Sequence, residues 1–150
     1  MEFTYRLTGA GWARARIADD IASATFTTSY LTDALGDLLG AVWSLLEGAT
    51  EARLSWCQEP GEHRWIFIRE EDSVHLRVLG FPDVEAAEPD ARGTTVFETR
   101  QEMTALATAI AAGASVGLAR HGEAGHEVEW GQDPVPTDRL ALIRKRLAAR

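Results

Sequence analysis

The sequence predicts an α+β fold: an antiparallel sheet of six or seven strands, two main helices packed on one face, and a short C-terminal helix. Three observations predict it. Leu31, Leu35, Leu38, Leu39, Val42, Leu45 and Leu46 recur at steps of three and four, the period of a helix with one apolar face. Residues 52–57, 64–68 and 74–79 then follow as strand patterns joined by short connections, which implies an antiparallel meander. Met103, Leu106, Ala107, Ile110, Ala114, Gly117 and Leu118 continue a second helical stripe.

Taken in order, the elements read β-β-β-α-β-β-β-β-α-α over a single domain, residues 1–150. Phe3, Tyr5 and Leu7 alternate with Thr4, Arg6 and Thr8, and Gly9-Ala10-Gly11 turns the chain into a strand over 12–17. Asp19-Asp20 marks the next turn, and residues 23–28 are rich enough in threonine and phenylalanine for a third strand. Ser29 is placed to cap the first helix, with Asp33 near its positive end and Gly48 suited to its C′ position. Its polar face carries Asp33, Gly36, Asp37, Gly40, Ser44 and Glu47; the Gly36–Gly40 pair reads first as a local packing accommodation, with close approach of another backbone as the alternative.

Ala52, Leu54 and Trp56 alternate with Arg53, Ser55 and Cys57. Glu59-Pro60-Gly61 fits a type II turn, because proline presets φ and glycine accepts the positive φ of the next position. Residues 64–68 are apolar on both faces, so this strand belongs in the interior of the sheet, with Trp65 and Phe67 opposite Ile66 and Ile68. Residues 82–93 hold Asp83, Glu85, Glu88 and Asp90 around Pro89 and read as a long, acidic, mobile loop. A strand over 94–98 follows, and Thr99 with Glu102 has the spacing of a capping box for a helix that runs to Gly122. Residues 125–131 read as irregular or as a short edge strand around Trp130, and Pro134-Val135-Pro136 as a rigid connector. Thr137 caps a last helix with Leu140, Ile143 and Leu147 inward and Arg144, Lys145, Arg146 and Arg150 near its negative end.

At 150 residues and 45% hydrophobic the chain can bury a core without staples, and its single cysteine, Cys57, excludes an internal disulfide framework and suits a reducing cytoplasm. The first residues have neither a basic nor an apolar leader region, and no run reaches the roughly eighteen apolar residues of a membrane span. A formal net charge of −8 argues against nucleic-acid or anionic-membrane partners and allows a basic protein, with a homodimer also open. Fourteen of the fifteen basic residues are arginine, which we read as genomic composition.

The search for chemistry is mostly negative. Gly9-Ala10-Gly11 is no dinucleotide fingerprint, since Arg14 stands at the third glycine position and a strand follows. No phosphate-binding lysine loop, nucleophile elbow or helical zinc motif occurs. His121, Glu123 and His126 lie close in a glycine-rich stretch but lack the spacing that aims two rings at one ion, so no metal and no cofactor is expected. Cys57 has no neighbour that would lower its pKa and reads as structural. The polar candidates are Asp33, Asp37, Glu59, Glu62, His63 and Arg64, with Asp83, Glu85 and Glu88 as partner-binding carboxylates. Catalytic residues are not assigned. If a ligand pocket exists, it is expected where Trp130 and the 134–136 connector meet the turn from Glu59 to Arg64 or the polar face of the first helix.

Three segments together resemble a group of small bacterial proteins of this length, actinobacterial in type. They are Ser29-Tyr30-Leu31-Thr32-Asp33-Ala34-Leu35 with Asp37-Leu38-Leu39; Glu59-Pro60-Gly61-Glu62-His63-Arg64-Trp65; and Gly125, Trp130 and Pro134-Val135-Pro136. An aromatic usually stands where this chain has His126. The resemblance implies an architecture and brings no activity with it. Size, acidity and layout are also similar to those of immunity proteins, an analogy of shape. The expectation is therefore a non-catalytic, cytoplasmic protein-binding domain with a basic partner. The alternative is a small-ligand protein or enzyme built on Glu59, Arg64 and Trp130.

Overall fold

Ala13, Ala15 and Ile17 are buried and the arginines between them are exposed, so the early strands alternate as their sequence requires. The computed structural model describes the backbone of residues 1–9, 11–29, 34–58, 60–130 and 137–149, and their side chains except at 9, 29 and 120–130. The strands are β1 (Glu2–Gly9), β2 (Trp12–Ala18), β3 (Ser23–Ser29), β4 (Glu51–Cys57), β5 (Glu62–Glu70), β6 (Ser73–Phe81) and β7 (Thr94–Glu102). The helices are α1 (Ala34–Leu46), α2 (Met103–Trp130) and α3 (Thr137–Ala148). The fold is α+β in the expected element order. The strands form two antiparallel sheets, β1-β2-β3 and β4-β5-β6-β7.

One hydrophobic cluster takes side chains from every strand and helix, with Trp56, Trp65, Phe26 and Phe67 among its largest members. β5 lies between β4 and β6, an interior strand as its doubly apolar sequence demands. Trp65 and Phe67 join the main cluster, whereas Ile66 and Ile68 join Leu79 and Phe81 in a second cluster on the outer face. The period of two thus sorts this strand correctly.

Gly48 ends α1 as expected. It sits at φ +111°, its N–H donates to Leu45 O, and the Ala49 N–H donates to Ser44 O. These are the two bonds of a Schellman cap. No basic residue occupies the last turn of α1, but Arg69 and Arg146 reach its terminal carbonyls at Leu45 and Leu46 from other elements. Both place positive charge at the negative end of the helix.

Ser29 pairs with Trp12 in the sheet and the described helix begins at Ala34; the expected cap rests on the Ser29 side chain and on residues 30–33, Leu31 and Asp33 among them, which lie outside what is described. Three local expectations are corrected. Gly61 has no positive φ, so the type II turn does not form. A side chain is excluded there by Phe81 O, 2.7 Å from where a Cβ would stand. Thr99 and Glu102 form no capping box, because β7 continues to Glu102 in register with β6, and the Thr99 hydroxyl donates to Asp19 Oδ2 at 2.7 Å. Long-range pairing overrides the local signal. Finally, α2 runs as helical backbone through 125–130, where an irregular segment or edge strand was expected. Extending an existing helix carries no nucleation cost, and Ala119, Glu123, Ala124, Glu127 and Glu129 dilute the glycines.

The Gly36–Gly40 pair does not admit a backbone on its Gly40 side. The Arg139 side chain from α3 lies there, with Nη1 2.5 Å from where a Cβ would be.

Candidate functional site

The acidic segment 82–93 is tied down. Two 3-10 turns, Val84–Ala86 and Asp90–Arg92, carry it across the outer face of the second sheet, where Gly93 abuts Phe81 and Leu79. The Asp83 carboxylate caps the first turn by accepting from Glu85 N–H at 2.9 Å, and Val84 N–H donates to Pro60 O at 2.7 Å. Asp90 is the anchor. Arg53 Nη2 donates to both its oxygens at 2.7 Å, and Arg64 Nη1 donates to Oδ1 at 2.8 Å. These guanidiniums, Arg53 first and Arg64 second, hold the Asp90 carboxyl below the usual carboxylate range. The mobile loop of the sequence reading is therefore a strap with a two-arginine latch.

Arg64 was expected to orient a ligand. Its donors instead go to Asp90, to Glu88 O at 2.9 Å and to Glu62 Oε1 at 2.9 Å, and its guanidinium carbon lies 4.1 Å from the centre of the Phe81 ring. Glu62, 4% exposed, also accepts from the Ser55 hydroxyl. Alternation shows only that Arg53, Ser55, Glu62 and Arg64 share a face; the convergence of Arg53 and Arg64 on Asp90 comes from register.

The other expected site residues scatter. Glu85 and Asp83 are exposed on the strap, and Glu88 forms a long pair with Arg92 at 3.7 Å. Asp37 is exposed on α1, lining with Gly40, Arg53 and Arg139 a cavity of about 550 Å³ between α1, β4 and α3. Asp33, Glu59 and the 134–136 connector lie outside the described residues, as do the side chains of Trp130, His121, Glu123 and His126. Nothing described joins Glu59, Arg64 and Trp130. Cys57 is buried. No group of three or more His, Cys, Asp or Glu among the described residues is placed to hold a metal ion, and no described helix is long and apolar enough to cross a membrane.

Two features escaped the sequence reading. Arg6, Arg14 and Arg16 stand together on the outer face of the first sheet, beside a groove against α2. A cleft of about 460 Å³ brings Asp19, Asp20, His75, Glu98 and Thr99 together, with His75 Nε2 2.5 Å from Glu98 Oε2. Asp19 is held below the ordinary carboxylate range by the Thr99 hydroxyl and by the Ala22 and Ile21 N–H groups. Its carboxylate ties the β2–β3 turn to β7 and is engaged on both oxygens.

His63 has a stability role. Its ring packs against Phe26 at 4.8 Å and its Nδ1 is buried without a partner among the described residues. Burial pushes its pKa below the ordinary 6.5, partly offset by the negative charge of Glu62. The unfolded chain therefore binds the extra proton first as pH falls. This contribution to stability is complete above about pH 6.5 and is lost as pH drops through the depressed folded value. Urea midpoints should fall between pH 7.5 and 5, and His63→Leu should flatten that slope. An unchanged slope in the variant would assign the pH dependence elsewhere.

Compared with protein-family models, with curated proteins and with solved structures, the chain gives no match.

Proposed function

We propose that the chain is a non-catalytic binding domain that recognises a basic protein partner through the strap. One observation carries this reading: Asp90, clasped by Arg53 and Arg64, fixes the strap on the sheet while Asp83, Glu85 and Glu88 remain at the surface. A recognition segment that is already ordered avoids the entropic cost of ordering on binding. The net charge of −8 adds long-range steering toward a basic surface. An inhibitor of the immunity type, acting in the cytoplasm, is the specific form of this proposal that the size and acidity of the chain favour.

The test is kinetic. A partner captured from the native host should be basic, and its association rate should fall as salt rises. Glu85→Lys with Glu88→Lys should lower that rate about tenfold at low salt while dissociation changes less. Asp83→Lys should add to the loss, partly by removing the cap of the first strap turn. Association that ignores both salt and these substitutions would refute the strap as the recognition surface.

A further inference from the structure

The outer face of the first sheet gathers three arginines in a chain whose net charge is −8. Arg6 on β1 stands directly across from Arg14 on β2, and Arg16 stands between Thr4 and Thr25 on its two neighbours. All five side chains are exposed. Only Arg16 has a carboxylate within ion-pair reach among the described residues, Glu2 at a long 3.6 Å. Like charges directly opposite on a sheet repel and destabilise the pair. The chain has 23 acidic residues and sets none of the described ones between Arg6 and Arg14. Folding alone does not account for that arrangement.

The arginines line one side of a groove of about 540 Å³, and Ala112, Val116 and the α2 backbone at Gly113 and Gly117 line the other. That volume lies in the range of small-molecule sites, roughly 300–1,000 Å³. Val116 is 69% exposed at its rim. One wall is therefore cationic and the other apolar.

Guanidinium forks match phosphate oxygens bidentately. Directly opposed positions on a sheet lie about 5 Å apart and diagonal ones about 7–8 Å. Three guanidiniums over that span suit a group with two or more negative charges better than a single carboxylate. The Thr4 and Thr25 hydroxyls add donors, and the α2 wall suits an uncharged body. A long polyanion or a charged membrane meets the whole molecule, net −8, and is repelled. A small ligand senses mainly charges within about 8 Å at physiological salt.

We infer that this groove binds a small phosphorylated molecule carrying at least two negative charges on an uncharged body. The site is separate from the strap and does not depend on its role.

The test titrates the full chain with inorganic pyrophosphate at low salt, following amide shifts and melting temperature. Saturable shifts confined to β1, β2 and the facing turns of α2 are expected, with a melting temperature that rises with ligand. Arg6→Gln with Arg14→Gln should weaken binding at least tenfold. Without ligand, that double variant should melt no lower than the parent, because a repulsion has been removed; a structural role would lower it. Arg14→Lys should keep part of the affinity through its charge. Should the double variant not fold, Arg16→Gln alone serves as the second test, with the same loss of shifts. Absence of saturable shifts, or equal affinity in the double variant, overturns the proposal. So does tighter binding of phosphatidic acid vesicles or of an oligonucleotide at equal phosphate concentration. A homodimer that dissolves in the double variant would overturn it too, assigning the face to a second copy of the chain.

Discussion

Replacing Gly113 with alanine should destabilise the protein by about 1–3 kcal/mol or more, the range of overpacking in a close-packed interior. Helix propensity alone predicts the opposite, a gain of about 1 kcal/mol on replacing a glycine in a helix interior with alanine. Packing decides. A Cβ at Gly113 would stand 2.1 Å from Phe3 O and 2.7 Å from Phe3 C, and one at Gly117 would stand 2.5 Å from Tyr5 O. These obstacles are backbone, so no rotamer change relieves them. Phe3 and Tyr5 are held by pairing with Ile17 and Ala15 of β2, and their side chains are buried in the core. The helix has to lift, which opens the contact between α2 and β1. Ala112, one residue away and exposed, is the control: Ala112→Gly should cost about 1 kcal/mol, the propensity term alone. Urea denaturation measures both. A stabilised Gly113→Ala protein would mean that α2 does not press its glycines against β1.

The same contact shows what was legible in the sequence and what was not. The α2 stripe of Met103, Leu106, Ala107 and Ile110 was readable because burial follows the helical period. That glycines 113 and 117 meet carbonyls of residues 3 and 5 was not, since no local pattern records which strand a helix crosses. The β5 faces were readable because Trp65 and Phe67 must point away from Ile66 and Ile68 in any extended chain. The division into two sheets was not, because alternation is the same within either. The end of β7 and the capping box competed for residues 99–102, and pairing with β6 prevailed.

The candidate surfaces were hidden for a related reason. Asp90 lies 37 residues from Arg53 and 26 from Arg64, so an acidic run without periodicity reads as solvated loop until register brings the arginines beneath it. Arg6, Arg14 and Arg16 read as ordinary outward residues of alternating strands. Their meaning depends on the β1–β2 register, which sets Arg6 against Arg14 instead of beside a carboxylate.

Removing Arg64 should cost about 3–5 kcal/mol, the range for breaking a buried pair from one side. The reason is Glu62, 4% exposed, which among the described residues would keep the Ser55 hydroxyl alone as a partner for a largely buried charge. The strap would also lose the Arg64 bonds to Asp90 and Glu88 O and the guanidinium over Phe81. Arg53→Ala is the comparison. Its side chain is 43% exposed, and its loss leaves Asp90 with Arg64, so a change near 1 kcal/mol or less is expected. Arg64→Lys should rescue little, because one ammonium cannot reproduce a planar fork directed at Glu62, Asp90 and a carbonyl together. Arg64→Ala combined with Glu62→Gln should recover part of the loss, since a neutral amide tolerates burial better than an unpaired carboxylate. Chemical denaturation gives the energies, and amide exchange over residues 84–93 reports the strap. If Arg64→Ala costs no more than Arg53→Ala, Glu62 is not held by Arg64 and the latch is only Asp90 with Arg53. If the double variant is no more stable than Arg64→Ala, the loss comes from the freed strap and not from the stranded charge.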